Sequence, residues 1–438
     1  MDSDTARWLV SPQAAAYIAQ AHEFDDPSSL KAASLLRREL SPDKAAAVAD
    51  LECLRRKGTA KFGDIAQSLF LTHDGLEQAT RFPVAQWRAG RMSGIVNGEM
   101  TGTAGCVIDA GCGVGIDALA MRMAGMEVTG IEMDPVTAVF AHANLGTVDG
   151  PDYEVRTETV EDFFRSSLLR GTGTEDSDRA DAMNESAPEI LAGRESGGTG
   201  SVHPDSRPAI FLDPARRTAH GRSWNVEDLS PSWEFVLTTL RNAPGLVVVK
   251  LAPGFPRSLL PDNVDVTWVS HKRNLVETTL WSYPGMTGKR EAVILETPET
   301  PESRLLAGPP PPPPGPVGEY ILEPDPAVIR AGAIGALARM TGTHPMAGSI
   351  AYLTGPDPIH TRFATAFRVL RTLDFSEKEL RAWVHNERIG VLEIKQRGLD
   401  VDPATLRRTL KPKGERTATI ILAPTLSGAK VFIVERIL

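Results

Sequence analysis

Cysteine is scarce in this chain. Cys53, Cys106 and Cys112 are the only three in 438 residues. They form no C-x-x-C pair and no metal-ligand spacing, so neither a disulfide framework nor a structural metal is expected. Long apolar runs are absent too, and nothing approaches the roughly 18 residues of a membrane span. The first ten residues, MDSDTARWLV, are acidic and lack the apolar core of a secretory signal. These absences point to a reduced, cytoplasmic protein without a metal or a membrane anchor. Nothing in the sequence indicates an obligate protein partner.

What is present is ordinary in bulk and uneven in distribution. A composition of 42% hydrophobic and 24% charged residues is that of a globular protein. The length suggests two or three domains. The net charge of −9 excludes a chain that is basic throughout, yet residues 361–438 hold 15 Lys+Arg against 9 Asp+Glu. A basic C-terminal module on an acidic body suggests where an anionic partner would dock.

Residues 1–95 read as helical, with apolar spacing in PQAAAYIAQAH, SLLRREL and PDKAAAVADLECLRR. From 96 to 300 short β-rich runs alternate with helical stretches, as in CVIDAG, EVTGIEMD, YEVRTETV, AIFLDP, LVVVKL, VDVTWVS and VETTLWSY. That alternation predicts an α/β fold with a mostly parallel sheet. Residues 166–207 interrupt it with 8 acids, 4 bases and few large apolar groups, which predicts a mobile insertion. Six prolines at 309–314 mark a linker over 301–318, expected as a solvated polyproline spacer. Beyond it, 319–438 forms a C-terminal part that ends strand, helix, strand, helix, hairpin. Its last helix has Asp402 as N-cap and Pro403 in its first turn.

The most informative stretch is CVIDAGCGVGIDALAMRMAGMEVTGIEMDP. A strand over 106–110 meets a loop with Gly111, Gly113 and Gly115, then a helix, then a strand ending at Glu132. Glycines let the backbone approach a ligand closely, and the helix start offers unpaired N–H groups. An acid ending the second strand can grip a ribose diol. The dinucleotide fingerprint G-x-G-x-x-G fails, because its third position is Ile116. Asp109 precedes the loop, where a carboxylate repels phosphate but holds an ammonium group. D-x-G-x-G-x-G followed by E-x-D-P resembles the class I S-adenosylmethionine-dependent methyltransferases. The resemblance implies a Rossmann-like sheet, S-adenosyl-L-methionine as cofactor, and contacts from Asp109, Gly111, Gly113, Gly115 and Glu132, with Met133 against the adenine. The Asp that this family often places after the third strand is replaced by Thr159, with Glu161 and Asp162 nearby.

In that fold the fourth strand ends beside the methyl group, and here it carries Phe211-Leu212-Asp213-Pro214-Ala215-Arg216-Arg217-Thr218. The stretch resembles the D/N-P-P-R form found in some tRNA and rRNA methyltransferases. Asp213 and Pro214 would accept hydrogen bonds from an attacking nitrogen, and Arg216 would hold the nucleotide. Covalent methylation at a pyrimidine C5 needs a late cysteine nucleophile, and no cysteine follows Cys112. Ribose 2′-O transfer stays open, because Asp213, Lys250 and Glu277 resemble three of the four members of a Lys-Asp-Lys-Glu set. The fourth, an upstream lysine, has no match; Arg88 and Arg91 fall there.

The run GVLEIKQRGLDVDPATLRRTLKPKGER gathers Lys395, Arg397, Arg407, Arg408, Lys411 and Lys413. Strand alternation puts Lys395 and Arg397 on one face, suited to phosphate contacts. The run L-E-I-K-x-R-G-x-D-V-D-P-x-x-L-R-R resembles the THUMP-like domain that ends a group of actinobacterial class I methyltransferases, here over about 360–438. LEQAT at 76–80 and EPDPAVIRAG at 323–332 extend the likeness. The reading that follows is a methyltransferase of structured RNA, rRNA or tRNA, acting at a base nitrogen or a ribose 2′-oxygen. The alternatives are a small-molecule or protein methyltransferase, or a non-catalytic protein that binds the cofactor and RNA.

Overall fold

The computed structural model describes residues 1–96, 105–172, 208–216, 226–243, 245–297, 302–348 and 350–437. Their contacts divide them into two compact units, Met1–Asp265 with Thr279–Thr287, and Val266–Thr278 with Gly288–Leu438.

The first unit opens with six helices: α1 (Ser3–Leu9), α2 (Pro12–His22), α3 (Leu30–Leu36), α4 (Pro42–Phe62), α5 (His73–Gln78) and α6 (Phe82–Ile95). Strand and helix then alternate through β1 (Cys106–Ala110), α7 (Ile116–Met123), β2 (Glu127–Glu132), α8 (Pro135–Leu145), β3 (Tyr153–Thr157), α9 (Val160–Thr172) and β4 (Ala209–Leu212). A short hairpin, β5 (Ala215–Arg216) with β6 (Leu229–Ser230), precedes α10 (Trp233–Asn242) and β7 (Val247–Leu251). The parallel strands run in the order β7-β4-β1-β2-β3. The chain reverses direction of growth between β1 and β4, and the crevice at their carboxyl ends is where such sheets bind ligands.

The N-terminal helices share their core with the sheet. Leu54, Phe62, Phe82 and Met92 pack with Val107, Val128 and Phe211. Buried Asn144 on α8 accepts from the Phe70 amide at 2.7 Å and donates to Phe70 O at 2.9 Å and Val114 O at 2.8 Å. That amide ties the helical region to the glycine loop. The helical character expected of 1–95 is present, and those residues belong to the same unit as the sheet. Of the acidic insertion expected over 166–207, residues 166–172 belong to α9, and residues 173–207 lie outside the described residues.

The second unit holds the pairs β8 (Asp265–His271) with β10 (Arg290–Leu295), parallel, and β10 with β11 (Ser303–Leu306), antiparallel; β9 (Asn274–Ser282) enters it through residues 274–278. It continues with β12 (Tyr320–Pro324), α11 (Pro326–Ala331), α12 (Ile334–Thr341), β13 (His344–Pro345) and β14 (Leu353–Gly355). It ends with β15 (Ala364–Asp374), α13 (Glu377–Asn386), β16 (Ile389–Gln396), α14 (Pro403–Leu410), β17 (Arg416–Thr425) and β18 (Gly428–Arg436). Seven strands pair in the order β13-β14-β12-β15-β18-β17-β16. Leu380, Val384, Leu406 and Leu410 of α13 and α14 cover one face, while Phe367, Ile421, Phe432 and Tyr352 pack on the other. Asp402 caps α14 by accepting from the Thr405 amide at 2.7 Å, as its sequence indicates.

The division into units differs from the boundary expected near 300. The boundary near 300 does not divide the units, because β10 pairs with β8 and Ser270 donates to the Asp325 carboxylate that caps α11. The prolines are mostly exposed, as expected of a spacer, yet the run is anchored at two points. Arg339 on α12 donates to Pro309 O at 2.9 Å and Pro310 O at 3.1 Å, and Gly315 N donates to Pro345 O at 3.1 Å. Two of the run's carbonyls are thus satisfied by one arginine side chain, and its Gly315 N–H by a carbonyl of β13.

Candidate active site

The site is built on the turn after β1. Gly111, Gly113 and Gly115 all have positive φ, at 88°, 55° and 79°. The amides of Gly111 and Cys112 each donate to Ile131 O at 2.9 Å, which folds the loop back over β2. Gly113 N then donates to the Glu132 carboxylate at 3.0 Å, and Asp134 N donates to its other oxygen at 2.8 Å. A Cβ on Gly115 would lie 2.8 Å from Leu145 Cδ1 and 3.3 Å from Ala141 Cα, so only glycine lets α7 start this close to α8.

A cavity of about 690 Å³ opens above the loop. Asp109, Gly111, Gly113 and Glu132 form its floor, Thr159 and Glu161 line one side, and Asp213 lines the other. Thr72, Asp74, Gly75 and Gln78, around α5, complete it. Met133 lines it while remaining 68% exposed. The Thr159 hydroxyl is occupied with Asp162, donating to its carboxylate at 2.8 Å and capping its amide at 3.1 Å.

Asp109 is fully buried, and neither of its carboxylate oxygens has a hydrogen-bond partner among the described residues. Burial first, then the charges of Asp117 and Asp213, push its carboxyl well above the usual carboxylate range. A buried, unpartnered acid at the base of a cavity fits a ligand that brings a donor, such as an α-ammonium group. Burial also raises the Glu132 carboxyl, opposed by the backbone donors that hold it. These residues fit the amino-acid and ribose ends of S-adenosylmethionine.

Beyond Asp109 lies a corner of charge. Lys250, at the end of β7, forms a short hydrogen-bonded ion pair with Asp213 Oδ2. Its ammonium is buried, but Asp213 and Asp117 outweigh that burial and raise its pKa, so it stays cationic. Arg88, fully buried on α6, donates to Asp117 Oδ1 at 2.5 Å and stacks over Phe211. Asp117 is held low despite its own burial by Arg88 and Lys250. Glu277 is buried on β9 within the second unit and does not line this cavity. Pro214 follows Asp213 directly, and the side chain of Arg216 lies outside the described residues, as do Arg217 and Thr218.

With this geometry in view, known proteins align along the chain. Over 400 residues it is 29% identical to S-adenosylmethionine-dependent methyltransferases of two Mycobacterium tuberculosis strains, both called uncharacterized, covering 88% of this chain and 95% of theirs. The chain is a homologue of the S-adenosylmethionine-dependent methyltransferases. A family described as THUMP domain-like matches residues 364–436, and a family described as a domain of unknown function matches 2–58. A crystal structure from Porphyromonas gingivalis W83, described as a methyltransferase, superposes with a TM-score of 0.73 at 17% identity, covering 100% of this chain and 99% of that one. This last likeness establishes the fold: a Rossmann-like α/β sheet with a helical N-terminus and the THUMP-like module.

In this methyltransferase homologue the six basic residues of the C-terminal module divide in two. Lys395 donates to Glu323 at 2.8 Å, lies 3.4 Å from Glu393 and sits over the Phe367 ring. Arg397 is half-buried over Tyr352. Lys395 on β16 and Arg397 just after it share one face, as alternation indicates, and both side chains are engaged there, although Val391 and Glu393 of that face are exposed. Arg407, Arg408, Lys411 and Lys413 are exposed, although Arg407 Nε also donates to Leu392 O at 3.0 Å. The sequence reading missed the parts played by Thr80, Asp117 and Arg88 around Lys250. A signal existed: charged residues inside the apolar runs IDALAM and FPVAQWRAG must be paired when buried.

Proposed function

We propose that this S-adenosylmethionine-dependent methyltransferase acts on structured RNA, rRNA or tRNA, at a base nitrogen. The observation that carries the reading is the charge of the cavity. Its described lining includes Asp74, Glu132, Glu158 and Glu161, besides buried Asp109 and the Lys250-paired Asp213, and no lysine or arginine. Such a lining attracts a cationic sulfonium and accepts the donor-rich edge of an uncharged base. It repels phosphate, and a ribose 2′-hydroxyl enters only with its flanking phosphates. A flipped base reaches in alone.

The bound cofactor supplies a methyl group already activated on sulfur. The protein supplies alignment. Asp213 Oδ1 and the Pro214 carbonyl accept hydrogen bonds from the attacking N–H group, which aims the nitrogen lone pair at the methyl carbon. The N–C bond forms as the S–C bond breaks, and the nitrogen's proton is lost to solvent. Lys250 holds the Asp213 carboxylate in one orientation through their ion pair. Ribose 2′-O transfer is the weaker chemistry, because Arg88 stands at the position of the missing lysine and is committed to Asp117.

The THUMP-like match and the exposed cations of α14 support RNA as the acceptor. Free thiols at Cys53, Cys106 and Cys112 suit the cytoplasm. A protein or small-molecule amine is the second reading, since the same acidic lining favours a cationic amine. The test is transfer of labelled methyl groups to total RNA from a strain lacking the gene, with the labelled nucleoside identified by mass spectrometry. A methylated base that is lost with Asp213→Ala supports the reading. A 2′-O-methyl nucleoside moves the chemistry to ribose. Unlabelled RNA from protein that binds the cofactor overturns RNA as substrate and moves the search to amines.

A further inference from the structure

The LEQAT segment at 76–80 lies outside the loops that usually build such a site, yet it reaches the charged corner. Thr80 Oγ1 donates to Asp117 Oδ2 at 2.8 Å. Lys250 Nζ donates to Thr80 Oγ1 at 2.9 Å, and Arg88 Nη2 approaches it at 3.4 Å. A threonine hydroxyl has one proton and two lone pairs. With its proton on Asp117, both lone pairs face cations, so the orientation of all three neighbours is determined.

We propose that Thr80, Asp117 and Arg88 are positioning residues that hold Lys250 against Asp213. The proposal rests on the reading that Asp213 contacts the accepting nitrogen. Four segments distant in the chain meet here: α6 with the turn before it, the first turn of α7, the carboxyl end of β7 and that of β4. Thr80, Asp117 and Arg88 are 8%, 8% and 0% exposed. Thr80 and Arg88 do not line the cavity, so they act through Lys250 and Asp117. The ammonium spends one proton on Asp213 Oδ2 and one on Thr80, and Asp117 Oδ2 lies 3.8 Å from it. This leaves Asp213 Oδ1 turned to the acceptor. The two cations and two carboxylates balance, so the corner carries no net charge to destabilise it.

Thr80→Val is the sharpest probe, because it removes the hydroxyl and keeps the shape and every charge. Two readouts on the full-length protein test the relay. The first needs no acceptor: the rate at which acetic anhydride modifies Lys250 at pH 8, followed by peptide mass spectrometry. Loss of the hydroxyl should lower the ammonium pKa, and a fall of one unit raises the reactive fraction about tenfold. Thr80→Ser should restore slow modification. The second is methyl transfer to RNA, where Thr80→Val should lower kcat about tenfold to hundredfold while KM and cofactor affinity hold. Unchanged Lys250 reactivity in Thr80→Val overturns the relay, whatever the RNA result. Wild-type protein that leaves RNA unlabelled overturns the RNA reading, and the reactivity readout still decides the relay. If Thr80→Val does not fold, Thr80→Ala carries the same expectation.

Discussion

Asp109 is a buried acid that the fold does little to stabilise. Its carboxylate has no hydrogen-bond partner among the described residues, and its carboxyl is pushed well above the ordinary range by burial. A folded-state pKa above the unfolded value means the native protein binds more protons in that window. Stability contributed by the neutral acid is therefore present at low pH and lost as pH rises through the raised pKa. Asp109→Asn removes that loss. Thermal melts should show the variant gaining on the wild type as pH rises above the ordinary carboxylate range in the absence of cofactor. Cofactor binding by calorimetry should weaken about tenfold to hundredfold, the range of a lost charge-assisted hydrogen bond. A variant that binds as tightly as the wild type would remove Asp109 from the site. The D-x-G-x-G-x-G pattern made this residue legible, because the acid and the glycines are adjacent in the chain. The contact of Thr80 with Lys250 was not, because the two lie 170 residues apart.

At the level of elements, the proline run and α12 illustrate what composition cannot report. A Cβ on Gly335 would come within 2.0 Å of Pro309 O and 2.8 Å of Pro310 C, both backbone atoms that cannot swing away. Gly335→Ala should destabilise the chain by about 1–3 kcal/mol in denaturant unfolding, the usual range for overpacking. Gly348→Ala meets nothing within 4 Å and should stay within about 0.5 kcal/mol of wild type. Equal effects for the two would mean the prolines do not pack on α12. Strands fared better than this connection. CVIDAG, EVTGIEMD, AIFLDP and LVVVKL all form the strands their patterns indicate, because each is a short apolar run closed by a turn signal.

For the whole molecule, charge is the quantity that organises function. The chain is acidic, yet 361–438 carries 15 bases against 9 acids. The exposed part of that excess lies on and after α14, whereas Lys395 is spent on Glu323. Arg408→Glu with Lys413→Glu should therefore weaken RNA binding at least about tenfold and flatten the log–log salt dependence by roughly 1.4–1.8, two contacts' worth. Lys395→Glu should instead destabilise the module, because it sets a carboxylate against Glu323 and Glu393. Filter binding over a salt series, with unfolding of the same variants, distinguishes the two. If Lys395→Glu alone abolishes binding in a stable protein, the face of β16 that carries Lys395 is the RNA surface after all.

Local pattern determined a good deal of this protein: the alternating strands and helices, the glycine loop with Asp109 and Glu132, Asp213 at the end of β4, and the strand–helix order of the THUMP-like module. Each depends on neighbours within a few residues, and backbone conformation and one-sided burial are legible at that range. Tertiary structure alone decided which charges are spent and which are free. Lys250, Thr80, Asp117 and Arg88 form one corner, Lys395 is turned onto Glu323, Glu277 falls in the other unit, and the prolines lie along α12. Those outcomes turn on partners far apart in the chain, and a buried charge takes its role from the partner that folding brings to it.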